Sequence, residues 1–316
     1  MDVFPRTMVG GISLPRLIIG TNWFLGYSHT SLAKDKFIKD LQTREKIINI
    51  ISVFMEYGID AVMGPVSPLL DESIKEVENR TGRPIIRIYT PIFNITPGGD
   101  PQAEPEVMLD QCAQWKATFC MPHQCVTDAL LDRRSNTIRD IDRYTKMIRE
   151  RGMIPGLSTH MPESVVIADR TNADVETYIQ LYNAAGFLMQ VEADWVMNII
   201  KNAKKPVMTI KPLAAGRLLP VVGLAFVWNT IRPQDMVTIG TTTPDEARES
   251  IEISLDLLTR QVPDYELQKP RSKKSLLSGS IITIKKRRTC AVFLWCGVPG
   301  RFRTLNLLIH SQALCH

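Results

Sequence analysis

The sequence predicts an α/β protein with a (β/α)8 TIM-barrel fold. Between residues 14 and 260, short β-branched or apolar segments alternate with stretches of helical periodicity, which is the order of a parallel sheet covered by helices. Eight such strand–helix units fit into this part of the chain. Most of the strand segments end in glycine, proline or polar residues, where a barrel carries its functional loops.

The predicted elements follow one another in a regular order. An N-terminal hairpin around Gly10 and Gly11 leads into the first strand. The eight strands are predicted at residues 14–20, 60–63, 84–90, 117–121, 154–158, 177–182, 208–211 and 236–240. Helices are predicted at residues 44–57, 135–151, from 163 onwards, 194–202, 221–230 and 244–258, and residues 23–30 and 94–105 are interpreted as loops.

Capping signals define the last helix most clearly. Thr243 is the predicted N-cap, Pro244 occupies the first helical position, and Glu246 is the capping-box partner. Ile251, Leu255 and Leu258 then follow at helical spacing.

Charge separates the chain into two parts, a barrel (residues 1–265) and a basic C-terminal tail (residues 266–316). The net charge is +5, but residues 271–316 contain nine basic and no acidic side chains, which leaves 29 basic and 33 acidic residues before them. A nucleic-acid-binding surface on the barrel is therefore not expected. The six cysteines form no CxxC pair, and no apolar run approaches the ~20 residues of a membrane span. These features predict a soluble, cytoplasmic protein without a membrane partner, and leave its oligomeric state undefined.

The tail has no helical or strand periodicity, so we expect it to be poorly structured or loosely attached. Its lack of acidic residues would also fit a reading-frame extension, and the alternative is a tether for anionic partners. Truncation after Pro270 is expected to leave the thermal unfolding midpoint almost unchanged. A large decrease in that midpoint would show that the tail contributes to the fold of the barrel.

Three histidines form the main candidate site. His29, His123 and His160 each lie at or just after the end of a predicted strand, on the face where barrel active sites lie. One interpretation is acid/base catalysis by His123 and His160, whose strands are neighbours. Another is a metal site completed by Asp128 or Cys125, although no compact HxH or HxxxH spacing supports it and no metal is assigned. The third is a set of structural, hydrogen-bonded side chains.

Two basic residues and one turn complete the candidate site. Lys211 ends the seventh strand and could form a Schiff base, or reach water or Glu192. Arg217 could bind a carboxylate or a phosphate group of a ligand. The alternative is that its side chain is solvated at the surface. The turn at Gly240, Thr241 and Thr242 precedes a helix N-terminus, a natural phosphate site, but the acidic first turn of that helix is also typical of ordinary capping.

Taken in order, several segments resemble the aldo/keto reductase family, namely residues 14–21, 57–59, 154–163, 182–183, 212–216 and 240–246. The resemblance implies a TIM barrel, NADPH at its C-terminal face, and an Asp–Tyr–Lys–His catalytic set. At these positions the chain has Met63, Pro68, Thr90 and His123, so only the histidine is retained. A reductase would then need Tyr27 or Tyr89 as its proton donor.

The cofactor positions that the resemblance implies are also changed in part. The nicotinamide-stacking aromatic residue corresponds to Ile210 and the glutamine of the sixth strand to Ile179, with Gln180 one place away. Ser158 and the adenine-binding Glu249 are retained. NADP is therefore compatible with the sequence but not indicated by it, and the cofactor is unknown.

Three functions remain open. The first is an enzyme acting on a small oxygenated substrate (a carbonyl compound, sugar or carboxylate) by a lyase- or isomerase-type reaction, in which His123 and His160 move protons and Lys211 or Arg217 holds negative charge. The predicted substrate-binding residues are Asn22, Tyr27, His29, Ser158, Asn183 and Arg217. The second is an NADPH-dependent oxidoreductase with a rearranged site, and the third is a non-catalytic binding or structural barrel.

Overall fold

The computed structural model describes residues 3–260 of the 316-residue chain. The predicted tail, residues 266–316, lies outside the described residues. The strand segments are β1 (Arg6–Val9), β2 (Ile12–Pro15), β3 (Leu17–Gly20), β4 (Ala61–Gly64), β5 (Ile86–Tyr89), β6 (Phe119–Cys120), β7 (Leu131–Asp132), β8 (Thr137–Ile138), β9 (Ile154–Pro155), β10 (Leu157–Thr159), β11 (Tyr178–Leu181), β12 (Val207–Ile210) and β13 (Met236–Ile239).

The helices lie between the strands along the chain. They are α1 (Asn22–Leu25), α2 (Leu32–Leu41), α3 (Arg44–Glu56), α4 (Pro68–Thr81), α5 (Pro105–Gln114), α6 (Gln124–Leu130), α7 (Ile141–Glu150), α8 (Glu163–Thr171), α9 (Ala193–Asn202), α10 (Pro220–Thr230) and α11 (Pro244–Leu258), with a 3-10 turn at Pro101–Ala103. No helix within residues 3–260 combines the length and the apolar character that a membrane crossing requires.

The central sheet is a parallel (β/α)8 barrel, as predicted. Its hydrogen-bonded order is β10-β11-β12-β13-β3-β4-β5-β6-β9. Only Gly156 separates β9 from β10, so these two segments are one broken strand, and the barrel contains eight strands in chain order. A Cβ atom on Gly156 would lie 2.5 Å from the Met121 side chain, which explains why glycine is needed at the break.

Two apolar layers stabilise the barrel. The larger lies between the helices and the outer face of the sheet and includes Ile47, Ile51 and Phe54 of α3. The smaller fills the interior and consists of Val9, Leu14, Ile18, Ala61, Met63, Ile88, Phe119, Met121, Ile179, Met208 and Met236. The predicted hairpin is present as β1 and β2. It contributes Val9 and Leu14 to the interior layer and therefore packs against one end of the barrel.

A buried ion pair joins the amino-terminal ends of β12 and β13. The fully buried carboxylate of Asp235 accepts hydrogen bonds from Arg232 Nη2 at 2.7 Å and Arg232 Nε at 2.9 Å. It also accepts one from the backbone N–H of Val207 at 2.9 Å. Loss of the carboxylate would leave the mostly buried Arg232 guanidinium with only the carbonyls of Ala203 and Lys205 as partners, and without a counter-charge.

Three local predictions need correction. Residues 23–30 do not form a simple loop, because α1 begins at Asn22 and a further helix, α2, follows at Leu32. The helix predicted from Ser135 begins at Ile141 instead, since residues 131–138 form the β7–β8 hairpin. Thr243 caps α11 by accepting a hydrogen bond from the Glu246 backbone, as predicted, but the Glu246 carboxylate binds Thr242 rather than the N-cap residue.

Candidate functional site

The candidate site is a cavity of about 640 Å³ at the carboxyl ends of the barrel strands. Its inner wall is formed by side chains that point into the barrel mouth, namely Met63, Thr90, Ser158, Ile179, Ile210 and Thr238. Its outer wall includes Phe37 and Leu41 of α2 and Leu218 and Leu219 of the loop after β12. The cavity is therefore lined by apolar side chains together with a limited number of polar and charged ones, which is the usual character of a small-molecule site.

All three candidate histidines line this cavity. They come from the loop after β3, the start of α6 and the end of β10, which are brought together only by closure of the barrel. Burial lowers the pKa of His123, and burial together with the positive charge of Lys211 lowers the pKa of His160 to about 4. The same two causes lower the pKa of His29. The imidazoles are consequently uncharged at neutral pH.

Lys211 also faces the cavity, and its amine contacts a histidine. Lys211 Nζ lies 2.9 Å from His29 Nε2, and the Asn22 side-chain nitrogen lies 3.0 Å from the same ring atom. Among the salt bridges of residues 3–260, none involves Lys211, so the predicted pairing with Glu192 is not formed. Burial lowers the pKa of Lys211 to about 8.

Both residues of this contact have a strained backbone conformation. Lys211 has φ 60° and His29 has φ 56°, in the left-handed region that non-glycine residues rarely adopt. Each such residue costs about 1–2 kcal/mol. Strained positions persist where the surrounding structure holds them, and they cluster at functional sites.

His123 is oriented by the first turn of α6. It is the N-cap residue, and its Nδ1 accepts the backbone N–H of Cys125 at 3.3 Å, with Cys125 Sγ 3.0 Å away. Because a backbone N–H can only donate, Nδ1 must be an acceptor. The proton of the neutral ring therefore resides on Nε2, the other ring nitrogen.

The loop after β10 is held by Asp128. Its carboxylate accepts hydrogen bonds from the Thr159 hydroxyl at 2.5 Å and the His160 backbone N–H at 3.1 Å. These contacts use the oxygen atoms that a metal site would require. Within the described part of the chain, no group of three His, Cys, Asp or Glu side chains is arranged to hold a metal ion, so the geometry does not support the metal interpretation with Asp128 or Cys125.

Three of the predicted substrate-binding residues do not line the cavity, so the prediction for them is corrected. Tyr27 is exposed and lies under the Lys39 ammonium on the outside of the mouth. Asn183 is buried, and its side chain binds the backbone N–H and carbonyl of Phe187. Arg217 stacks on the Phe187 ring at 3.9 Å. Asn183 and Arg217 therefore shape the loop after β11, while Asn22, His29 and Ser158 do line the cavity.

The predicted phosphate turn lines the outer end of the cavity through Gly240, Thr241, Thr242 and Glu249. Two of its donors, both on Thr242, are already used, whereas the Thr241 hydroxyl has no partner within the described residues. The backbone N–H and hydroxyl of Thr242 both donate to the Glu246 carboxylate, at 2.7 and 2.8 Å. The Trp23 indole covers Gly240, since a Cβ atom there would lie 3.0 Å from the ring. The carboxylates of Glu246 and Glu249 line the cavity beside this turn and would repel a phosphate there.

Three of the four positions that the resemblance assigned to a reductase-type catalytic set line the cavity. Met63, Thr90 and His123 line it, whereas Pro68 begins α4 outside it. Of the two candidate replacement donors, Tyr27 lies outside and Tyr89 is buried in the helix–sheet layer against Trp115. No tyrosine of residues 3–260 lines the cavity.

Sequence reasoning missed several lining residues. Thr21 was missed: like the predicted Thr241, it is buried, lines the cavity, and has a hydroxyl group without a hydrogen-bond partner within the described residues. Thr21 lies directly before the predicted Asn22, and its position at the end of β3 was a usable signal. Trp23 lay in the predicted loop at residues 23–30, and no element was predicted for the segment that contains the α2 side chains Phe37 and Leu41.

Known structures with the same fold were found, although sequence comparison gave nothing. No protein-family model and no curated protein sequence matches the chain. An aldo-keto reductase from Pseudomonas aeruginosa has a TM-score of 0.60 at 14% identity, covering 81% of this chain and 98% of its own. The glycerol dehydrogenase of Gluconobacter oxydans has a TM-score of 0.52 at 12% identity, covering 84% and 98%.

A third structure gives the same result. An aldo-keto reductase from Klebsiella pneumoniae, determined in complex with NADPH, has a TM-score of 0.52 at 13% identity and covers 87% of this chain and 94% of its own. At these identities the similarity establishes a TIM-barrel fold shared with these proteins and not an activity. The fold that the sequence resemblance implied is therefore confirmed.

Proposed function

We propose that this protein is an enzyme that binds a small oxygenated substrate in the barrel mouth and transfers protons with His123 and His160. The observation that supports this most strongly is the placement of three uncharged imidazoles and one amine on a single cavity. An uncharged imidazole can accept a proton and, on its other nitrogen, donate one. The fold resemblance supports an enzyme at this position but not its reaction.

The two histidines are suited to different tasks. His123 has its proton on Nε2, so it is the proposed donor to the substrate oxygen. His160 lies in a loop that Asp128 holds rigidly, and it is the proposed base. Ser158 and Asn22 line the same space and are proposed to orient the substrate.

The charge distribution favours a substrate with an anionic group. At the inner end of the cavity the three imidazoles are uncharged, so the ammonium form of Lys211 supplies the positive charge there. Lys34, Glu246 and Glu249 line the outer end, with one positive and two negative charges. An anion would therefore be drawn to the inner end, next to the acid/base residues. We propose a small carbonyl compound or carboxylate on this basis.

Proton exchange provides the test. Pyruvate and dihydroxyacetone serve as anionic and neutral carbonyl probes in D2O, and ¹H NMR follows loss of the signal from hydrogens next to the carbonyl. The full chain is expected to accelerate exchange, and His123→Ala and His160→Ala to reduce it by about 10²–10⁴-fold. Lys146→Ala, at an exposed helix position, is the matched control. Wild-type exchange rates in both histidine variants would contradict the proposal.

The competing function is NADPH-dependent reduction, which is favoured by the similar structure determined with NADPH. The Glu246 and Glu249 carboxylates beside the phosphate turn and the absence of a lining tyrosine within residues 3–260 argue against it. NADPH fluorescence titration separates the two, and no binding is expected. Saturable micromolar binding would favour the reductase, whereas a protein that binds probes without exchange would support the non-catalytic alternative.

A further inference from the structure

We propose that Lys211 is a nucleophile whose Nζ forms a covalent iminium with the carbonyl carbon of the substrate. This inference rests on the proposed function, because it requires that the cavity accept a small carbonyl compound. It goes further by naming the covalent step and by narrowing the substrate class to aldehydes and ketones.

The position of the amine is the first argument. Lys211 directly follows β12, and its side chain lines the cavity together with those of Ser158, His123 and His160. Its Nζ contacts His29 Nε2 at 2.9 Å instead of extending into solvent. Both residues have left-handed backbone conformations, and the contact joins segments 182 positions apart in the chain.

The state of the amine is the second argument. A lysine nucleophile must lose its proton, and an adjacent carboxylate would oppose this by stabilising the ammonium form. The salt bridges of the described residues include none to Lys211. Its neighbour is instead an uncharged imidazole. Burial lowers the pKa of Lys211 to about 8, so a substantial fraction of the amine is neutral at physiological pH.

The covalent step balances without an oxidant or a reductant. The Nζ lone pair forms a bond to the carbonyl carbon, and the carbonyl π electrons move to the oxygen. One Nζ proton passes to that oxygen, giving a carbinolamine. Its hydroxyl then accepts a second proton, supplied from solvent through a lining histidine, and leaves as water while the nitrogen lone pair forms the C=N bond. The resulting iminium is positively charged and acidifies the neighbouring C–H bonds.

This step gives the histidines a defined role. Once the iminium has formed, a proton next to the former carbonyl carbon can be removed by a neutral imidazole, and His160 is the proposed acceptor. The C–H electrons move into the C=N system and neutralise the nitrogen. A carboxylate on the substrate would lie next to the basic residues of the inner end of the cavity, both before the substrate forms the iminium and afterwards.

Borohydride trapping tests the inference directly. The full-length chain is incubated with pyruvate, reduced with sodium borohydride, and digested with trypsin. An iminium becomes a secondary amine, so the modified lysine gains the mass of pyruvate minus one oxygen atom. Because trypsin does not cleave lysine–proline bonds, Lys205 and Lys211 lie on one peptide, residues 205–217. The surface residue Lys205, which pairs with Glu176, is therefore an internal control.

We expect at least about tenfold more label on Lys211 than on Lys205, because an amine with a pKa of about 8 is unprotonated far more often near pH 7.5 than a solvated lysine. The label on Lys211 should rise with pH up to about 8–9 and then level off. Lys211→Arg should abolish labelling of this peptide above the Lys205 background. Equal labelling of the two lysines, or none on Lys211, would overturn the inference.

The exchange assay distinguishes failure of this inference from failure of the proposed function. Exchange that depends on His123 and His160, without label on Lys211, would refute the covalent step and leave the acid/base proposal standing. Label on Lys211 without histidine-dependent exchange would support the covalent step and refute the proposed proton transfer.

Discussion

Replacement of Lys211 by methionine is expected to raise the free energy of unfolding by about 1–3 kcal/mol at pH 7. The native protein holds this ammonium partly buried without a carboxylate partner, and burial lowers its pKa from 10.5 to about 8. One pKa unit corresponds to ~1.4 kcal/mol, and the partial exposure of the side chain reduces the full effect. Methionine has a similar length and no charge, so it removes the desolvation cost. Urea denaturation monitored by circular dichroism measures the change.

The pH dependence of this gain identifies its cause. Between pH 8 and 10.5 the unfolded chain still binds the Lys211 proton while the native state has released it, so native stability rises with pH in this window. Below pH 8 both states are protonated and the cost is fully present. The advantage of Lys211→Met should therefore shrink above pH 8 and vanish near pH 10.5.

A surface control separates this effect from the general loss of a positive charge. Lys201→Met, on the exposed face of α9, is expected to change stability by less than about 0.5 kcal/mol at any pH in this range. If Lys211→Met matched this control, or if its advantage persisted unchanged at pH 10.5, the amine would not be under electrostatic strain. A gain in stability on removal of a site residue is typical of functional sites.

The barrel could be predicted from the sequence because buried parallel strands are short, nearly continuous apolar segments. Strands could be predicted at residues 208–211 and 236–240 for this reason. The observed bounds of β12 and β13 agree with these predictions to within one residue. The α2 helix was missed because it buries only Ile38. Its other large apolar side chains, Leu32, Phe37 and Leu41, are exposed, so the helix has almost no core-facing side.

The false helix start at Ser135 has a different origin. Serine is a preferred N-cap, but here its hydroxyl binds the Asp132 carboxylate within the β7–β8 turn. The apolar periodicity of α7 begins only at Ile141, with Tyr144 and Ile148 on the same face. A capping residue without periodic apolar positions directly after it is consistent with a turn as well as a helix.

The site was predictable in outline and not in its contacts. Strand ends meet at one face of a barrel, so the meeting of His29, His123 and His160 follows from topology. The contact between Lys211 and His29 depends on two left-handed backbone conformations, which no residue pattern specified. Asn183 and Arg217 show the same limit, because their side chains turn towards Phe187 in loops where strand alternation no longer determines direction.

Replacement of Asp235 by alanine is expected to lower the free energy of unfolding by about 3–5 kcal/mol. The variant leaves the Arg232 guanidinium without its carboxylate and the Val207 N–H without its acceptor, in a place where the carboxylate is fully buried. Breaking one side of a buried ion pair has this magnitude because the remaining charge stays desolvated. Denaturant unfolding of the full chain, with the thermal midpoint as a second readout, provides the measurement.

Two further variants define the cause of that loss. Asp174→Ala removes a carboxylate that pairs with Arg149 at 2.7 Å on the surface, and it should cost no more than about 1 kcal/mol. Asp235→Asn keeps an acceptor for Val207 but loses the charge, so its cost should fall between those of the two alanine variants. If Asp235→Ala cost as little as Asp174→Ala, the buried pair would not hold β12 and β13 together.

Asp235→Ala and Lys211→Met should have opposite effects on stability and on activity. Asp235 lies at the amino-terminal ends of the strands, whereas the cavity lies at their carboxyl ends, so the alanine variant should retain wild-type exchange of pyruvate hydrogens per folded molecule at temperatures below its unfolding transition. Lys211→Met should gain stability and lose covalent labelling. We expect these opposite results because the buried ion pair stabilises the amino-terminal end of the barrel, whereas the proposed nucleophile lies at the carboxyl-terminal end and is electrostatically strained. Loss of both stability and activity in either variant would argue against this division.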